Sequence, residues 1–172
     1  MASRRVLILG IGNLLVGDEG VGVHAAQSLA GQRLPPGVDV LDGGTGGLNL
    51  LAYFTEYPLI ILIDATLDGR PPGTISVLQP KFPSEYPQSL GAHDIGLRDL
   101  ITAAALLGPL PEVHLITISI ERMEAGTLEL SPPIQDSIDA VLAVVHAILR
   151  LEGFTRSSSR AHRMRLDVPS MG

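Results

Sequence analysis

Two kinds of hydrophobic pattern take turns along the chain. Short unbroken apolar runs, bounded by glycines or acids, alternate with longer stretches whose apolar positions recur every three to four residues. Residues 6–10, 38–41, 59–63 and 113–119 read as strands, and an unbroken apolar run such as 6–10 predicts a strand covered on both faces. Residues 20–30, 48–54, 95–107 and 134–151 read as helices. The last is the clearest, with Ile134, Ile138, Val141, Val145 and Ile148 on one stripe and Pro132-Pro133 ahead of its first turn, where proline is tolerated. Residues 74–78 read as a further strand, antiparallel at an edge. Residues 68–73 are a Gly/Pro loop, 79–92 a Pro-rich one, and Asp94 or its predecessor is the expected N-cap of the third helix.

This alternation predicts an α/β sandwich of three layers, with helices on both faces of a mostly parallel sheet. Ligands of such sheets bind beyond the carboxyl ends of the strands, near the point where strand order reverses. Asp18 and Glu19 follow the first strand, Asp42 ends the second, Asp64 ends the third, and His93 precedes a helix. All are expected on one rim.

The length of 172 residues fits a single domain, predicted over 1–154. Residues 155–172 lack apolar periodicity and read as a mobile tail with four arginines against one aspartate, whereas the body holds eight basic and 17 acidic residues. A net charge of −6 and only 3% aromatic residues argue against a nucleic-acid partner. No apolar run approaches the ~20 residues of a membrane span. The apolar stretch after Arg5 superficially suggests a signal peptide, but Gly10, Gly12 and Asn13 interrupt it, and it reads instead as a strand and its loop. The chain has no cysteine, which removes thiolate metal sites and thiol nucleophiles and suits a reducing, cytoplasmic setting.

Each candidate motif has a plain and a chemical reading. Gly10-Ile11-Gly12 after a strand suggests a dinucleotide fingerprint, but Leu15 stands where the third glycine belongs, and Asp18 and Glu19 would repel a pyrophosphate. Asp18-Glu19 could simply complement a helix dipole. Asp18 is expected to do that work and Glu19 to face the cleft. Asp64, at the end of a buried strand, needs a partner, a hydrogen bond or a metal. His24, His114 and His146 lie within predicted regular elements and read as structural, whereas His93 lies between a long loop and a helix. Two carboxylates and an imidazole would suit a borderline cation such as Ni²⁺ or Zn²⁺ and leave coordination positions open.

The blocks GIGNLLVGDEGVGV (10–23), LDGGTGG (41–47), LIILIDA (59–65) and HDIGL (93–97), with PPGTISVL (71–78), resemble in order and spacing the hydrogenase maturation proteases, over about residues 5–152. The resemblance implies a twisted five-stranded sheet between helices. It implies metal binding by Glu19, Asp64 and His93, a functional role for Asp42 and a supporting one for Asp18. It further implies an aspartyl-type endopeptidase that removes the C-terminal extension of a nickel–iron hydrogenase large-subunit precursor after nickel insertion. Nickel is expected to arrive with that substrate, with zinc or cadmium able to occupy the site in vitro. Whether the metal polarises the scissile carbonyl, or serves only recognition while Asp42 or another carboxylate acts as base, stays open at this level. Asp42 could also hold the substrate peptide over a Gly43–Gly47 platform, and the 79–92 loop could clamp the precursor's tail. A monomer or weak homo-oligomer is expected. Two rivals remain: a non-proteolytic metal-binding assembly protein and a nucleotide-binding enzyme.

Overall fold

The unbroken apolar runs become neighbouring strands. The structure is a computed structural model that describes residues 3–88 and 96–156. His93, Asp94, Ile95 and most of the Arg-rich tail lie outside the described residues. The elements are β1 (Val6–Ile11), α1 (Val21–Ala30), β2 (Val38–Gly44), α2 (Tyr53–Glu56), β3 (Leu59–Thr66), β4 (Ile75–Leu78), α3 (Leu97–Leu107), β5 (Glu112–Ser119) and α4 (Pro132–Leu151). They form one five-stranded sheet, ordered β2-β1-β3-β5-β4. Every pairing is parallel except that of β4 with β5, so the predicted antiparallel edge strand is present.

Successive side chains of a strand point to opposite faces, and the central strands divide accordingly. Val6, Ile8, Ile61, Ile63, Ile116 and Ile118 pack with Val21, Ala25 and Leu29 of α1 and with Ile134, Val141 and Val145 of α4. Leu7, Leu9, Ile60, Leu62 and Leu115 pack with Phe54 of α2 and Leu97, Leu100 and Ile101 of α3. Each fully buried aliphatic side chain contributes about 1.5–3 kcal/mol, and both layers are needed because β1 and β3 are apolar on both sides.

One close approach sets the position of α1. A methyl group on Gly22 would lie 2.3 Å from the Ile63 oxygen and 2.4 Å from the Ile11 oxygen. Only glycine lets the first turn of the helix rest directly on β1 and β3. The chain leaves β1 for β2 on one side and returns to β3 on the other. The β1/β3 boundary is therefore the reversal point, and the first turn of α1 lies over it.

Three predicted boundaries shift. β3 does not end at Asp64 but continues to Thr66, because β5 pairs with Asp64, Ala65 and Thr66. β2 runs through Asp42 to Gly44, held by the pairs Gly10↔Asp42 and Ile11↔Gly44. Pro132 and Pro133 form the first turn of α4 rather than preceding it, a place where the missing N–H of proline costs nothing. Among the described residues, no helix is long and apolar enough to cross a membrane.

Candidate functional site

The segment between β1 and α1 delivers two acids to the carboxyl edge of the sheet. After Gly12 the chain makes a short 3-10 turn, Gly17–Gly20, that carries Asp18 and Glu19. Asp18 does not cap the helix that follows it, since α1 has no side-chain cap. Its carboxylate instead accepts hydrogen bonds from the Ser131 N–H and hydroxyl, both at 2.7 Å, at the start of α4. Its two oxygens thus cover the N-terminal end of another helix. The same turn is bound to the β5–α4 connection by a Val16↔Thr127 bridge, by Gly17 N–H to Thr127 oxygen at 2.7 Å, and by Gly126 N–H to Leu15 oxygen at 2.8 Å.

With Asp18 committed to that contact, Glu19 faces the cleft. It lines a cavity of ≈ 60 Å³ together with Ile11, Gly12, Gly44, Thr45, Asp64 and Leu97, with room for an ion or a few waters. Asp64 is half-buried and accepts one hydrogen bond, from the Ala65 N–H at 2.8 Å. Burial, reinforced by the charge of Glu19 and partly offset by that hydrogen bond, pushes its carboxyl up to about 8. A carboxyl that resists ionising beside a second acid marks a place where a cation is favoured.

The structure brings Glu19 and Asp64 together as expected. Asp42 stands apart from them: it is exposed and outside the cavity wall. One of its oxygens accepts the Gly44 N–H at 3.0 Å and the other the Gln27 amide at 3.2 Å. It thereby fixes the glycine turn whose Gly44, Thr45 and Gly47 form one side of the cavity. His93 lies outside the described residues, but Gln88 and Gly96, the described residues flanking that stretch, both line the cavity. Arg98 of α3 holds the approach to that stretch, donating to the Tyr86 oxygen at 2.7 Å and the Ser84 oxygen at 3.3 Å.

Of the histidines read as structural, His114 pairs with Gln79 and Glu152, and His146 with Gln32. Among the described residues, the buried His24 Nε2 has no hydrogen-bond partner. The pairing of Asp18 with Ser131 escaped the sequence reading, whereas Pro87 and Gln88 of the wall belong to the 79–92 loop and Leu97 to the HDIGL block. The Asp18 contact spans 113 residues, and no local pattern signals it.

The chain resembles known proteins over most of its length. The profile of the family described as HycI, hydrogenase maturation protease, matches residues 23–148. The hydrogenase expression/formation protein HupD of Bradyrhizobium diazoefficiens is 36% identical over 166 residues, covering 92% of this chain and 85% of that protein. The hydrogenase 2 maturation protease of Escherichia coli is 34% identical, covering 87% of this chain and 93% of the relative. The solved structure of the hydrogenase maturating endopeptidase HybD from E. coli superposes with a TM-score of 0.78 at 33% identity, covering 87% and 94% of the two chains.

Proposed function

The chain belongs to the hydrogenase maturation protease family and is an endopeptidase, and on that premise we propose that it removes the C-terminal extension of a nickel–iron hydrogenase large-subunit precursor once nickel is in place. The observation that carries this reading is the sharing of one small cavity by Glu19 and Asp64 at the β1/β3 reversal point. Two carboxylates there favour a cation, and His93 is the third ligand of the reading, supported by the cavity-lining positions of Gln88 and Gly96.

The nickel belongs to the substrate. Carboxylate and imidazole donors without thiolate hold a borderline ion modestly, so the site engages an ion that the precursor already carries, and an empty precursor is passed over. Zinc or cadmium occupies the same donors in vitro. The peptide to be cut lies along the glycine turn 43–47, which Asp42 keeps in shape through Gly44 and Gln27. Asp42 is thus a peptide-positioning group, and Glu19 and Asp64 are the acids nearest the reacting bond, in an aspartyl-type reaction. The protein works in the cytoplasm, where its precursor is assembled.

The test is to incubate the purified chain with nickel-loaded and nickel-free precursor and follow the precursor's mass. Shortening of the loaded form alone is expected. Equal cleavage of both forms would remove nickel as the signal. Binding without any loss of mass would replace proteolysis with an assembly role.

A further inference from the structure

At the opposite edge of the sheet lies a second group of metal-binding donors that the protease reading does not use. Glu112 and His114 are two residues apart on β5 and so share a face, and Glu152 follows α4. One ligand atom from each of the three lies within 4.8 Å of the others. The His114 side chain is only 5% exposed, with Nε2 2.8 Å from Glu152 Oε1. Its Nδ1 lies 3.2 Å from the Gln79 amide nitrogen. Arg4 reaches across the cluster, 3.2 Å from Glu112 and 2.9 Å from Glu152.

We propose that Glu112, His114 and Glu152 form a second divalent-cation site, for an ion of the zinc class, and that Arg4 is the counter-ion such a cation displaces. The donor set is the reason. One imidazole and two carboxylates leave a fourth position for water, as in open zinc sites. Four-coordinate zinc holds its ligands about 3.3 Å apart, so the cluster needs only a small adjustment. As the ion takes the Nε2 lone pair, the imidazole proton moves to Nδ1, and a half-turn of the Gln79 amide presents its oxygen to that N–H. This is the outer contact that orients metal-bound histidines. Arg4 and Glu112 are each about half exposed, at 46% and 52%, so that ion pair is weak, and the 2.9 Å pair of Arg4 with the more buried Glu152 is the costlier one to give up. Glu112 stands five residues before Thr117, the partner of Asp64, which separates the two sites by about 17 Å along the strand. One ion cannot serve both.

The experiment uses the full chain carrying Glu19→Gln and Asp64→Asn, so that the cavity no longer competes, titrated with zinc chloride by calorimetry. Saturation at one zinc per chain is expected. Affinity should fall at least tenfold with Glu112→Gln and about tenfold with Gln79→Leu. Arg4→Met should tighten it about tenfold, because the ion pairs of Arg4 with Glu112 and Glu152 no longer oppose the cation. Cobalt absorption bands that disappear in Glu112→Gln give an independent readout should His114 variants fold poorly. No saturable binding, or binding that ignores both Glu112→Gln and Arg4→Met, overturns the proposal.

Discussion

At the carboxyl edge of the sheet Glu19 and Asp64 share a cavity, the charge of Glu19 helps raise the Asp64 carboxyl, and no arginine or lysine is among the described residues lining it. At the amino edge Glu112 and Glu152 are bridged by Arg4, and His114 donates to Glu152. The donor types are nearly the same at both ends. Their electrostatic state differs: at one end a neighbouring acid helps raise a buried carboxyl, and at the other an imidazole and a guanidinium lower one. A carboxyl held above its ordinary range on a rigid scaffold costs stability at neutral pH, and such sites persist for binding or chemistry. A compensated one reads first as structure.

The largest test of this contrast is at the cavity. Glu19→Gln, Asp64→Asn and His93→Ala are each expected to lower precursor processing at least about a hundredfold, followed by the mass of the product. The urea midpoint of Asp64→Asn should stay near or above the parent's, because burial already holds the Asp64 carboxyl neutral and an amide avoids the cost of ionising it. Full processing by two of the three would dissolve the distinction between the edges.

At the other edge the expectation reverses. His114→Ala should reduce stability by about 2–3 kcal/mol, through a small cavity and the loss of one of the two partners of Glu152, measured by urea unfolding. Processing at low temperature should be unchanged. A smaller effect belongs to the link between the edges. Asp18→Ala removes both hydrogen bonds to Ser131 and should cost about 1 kcal/mol.

The smallest effect is in the pH dependence of stability, where the edges have opposite signs. The His114 hydrogen bond and Arg4 hold Glu152 below its ordinary 4.5. Arg5 and Tyr57 likewise hold Asp39 below 3.8. Their contributions are present above those ordinary values and are lost as the pH falls through the lower folded ones. Asp64, raised to about 8, contributes fully below its unfolded value of 3.8 and loses that contribution as the pH rises through about 8. In metal-free protein, Asp64→Asn should therefore flatten the decline of melting temperature toward pH 8. Glu152→Gln should blunt the acid loss below about pH 4.5.

Much of this was legible in the chain itself. The apolar runs of β1 and β3 and the Ile134–Ile148 stripe require two covered faces, and the strand-end acids mark the rim. What sequence could not supply was non-local. β3 passes Asp64 because β5 offers partners for two residues more, and β2 absorbs Gly43 and Gly44 because β1 does the same. Local propensity argues against both glycines, and pairing overrides it. Asp18 serves a helix that begins more than 100 residues later, so its local context pointed to the wrong helix. The partners of His114, Gln79 and Glu152, are 35 and 38 residues away and appear only in the fold.

The 20 residues of α4 make a rod about 30 Å long. Its leading end is gripped by Asp18, beside Glu19, and just past its trailing end Glu152 is fastened to His114 and Arg4. A strut pinned at both ends transmits a push along its axis. Loosening either pin should speed amide exchange along the whole helix rather than at its nearer end alone.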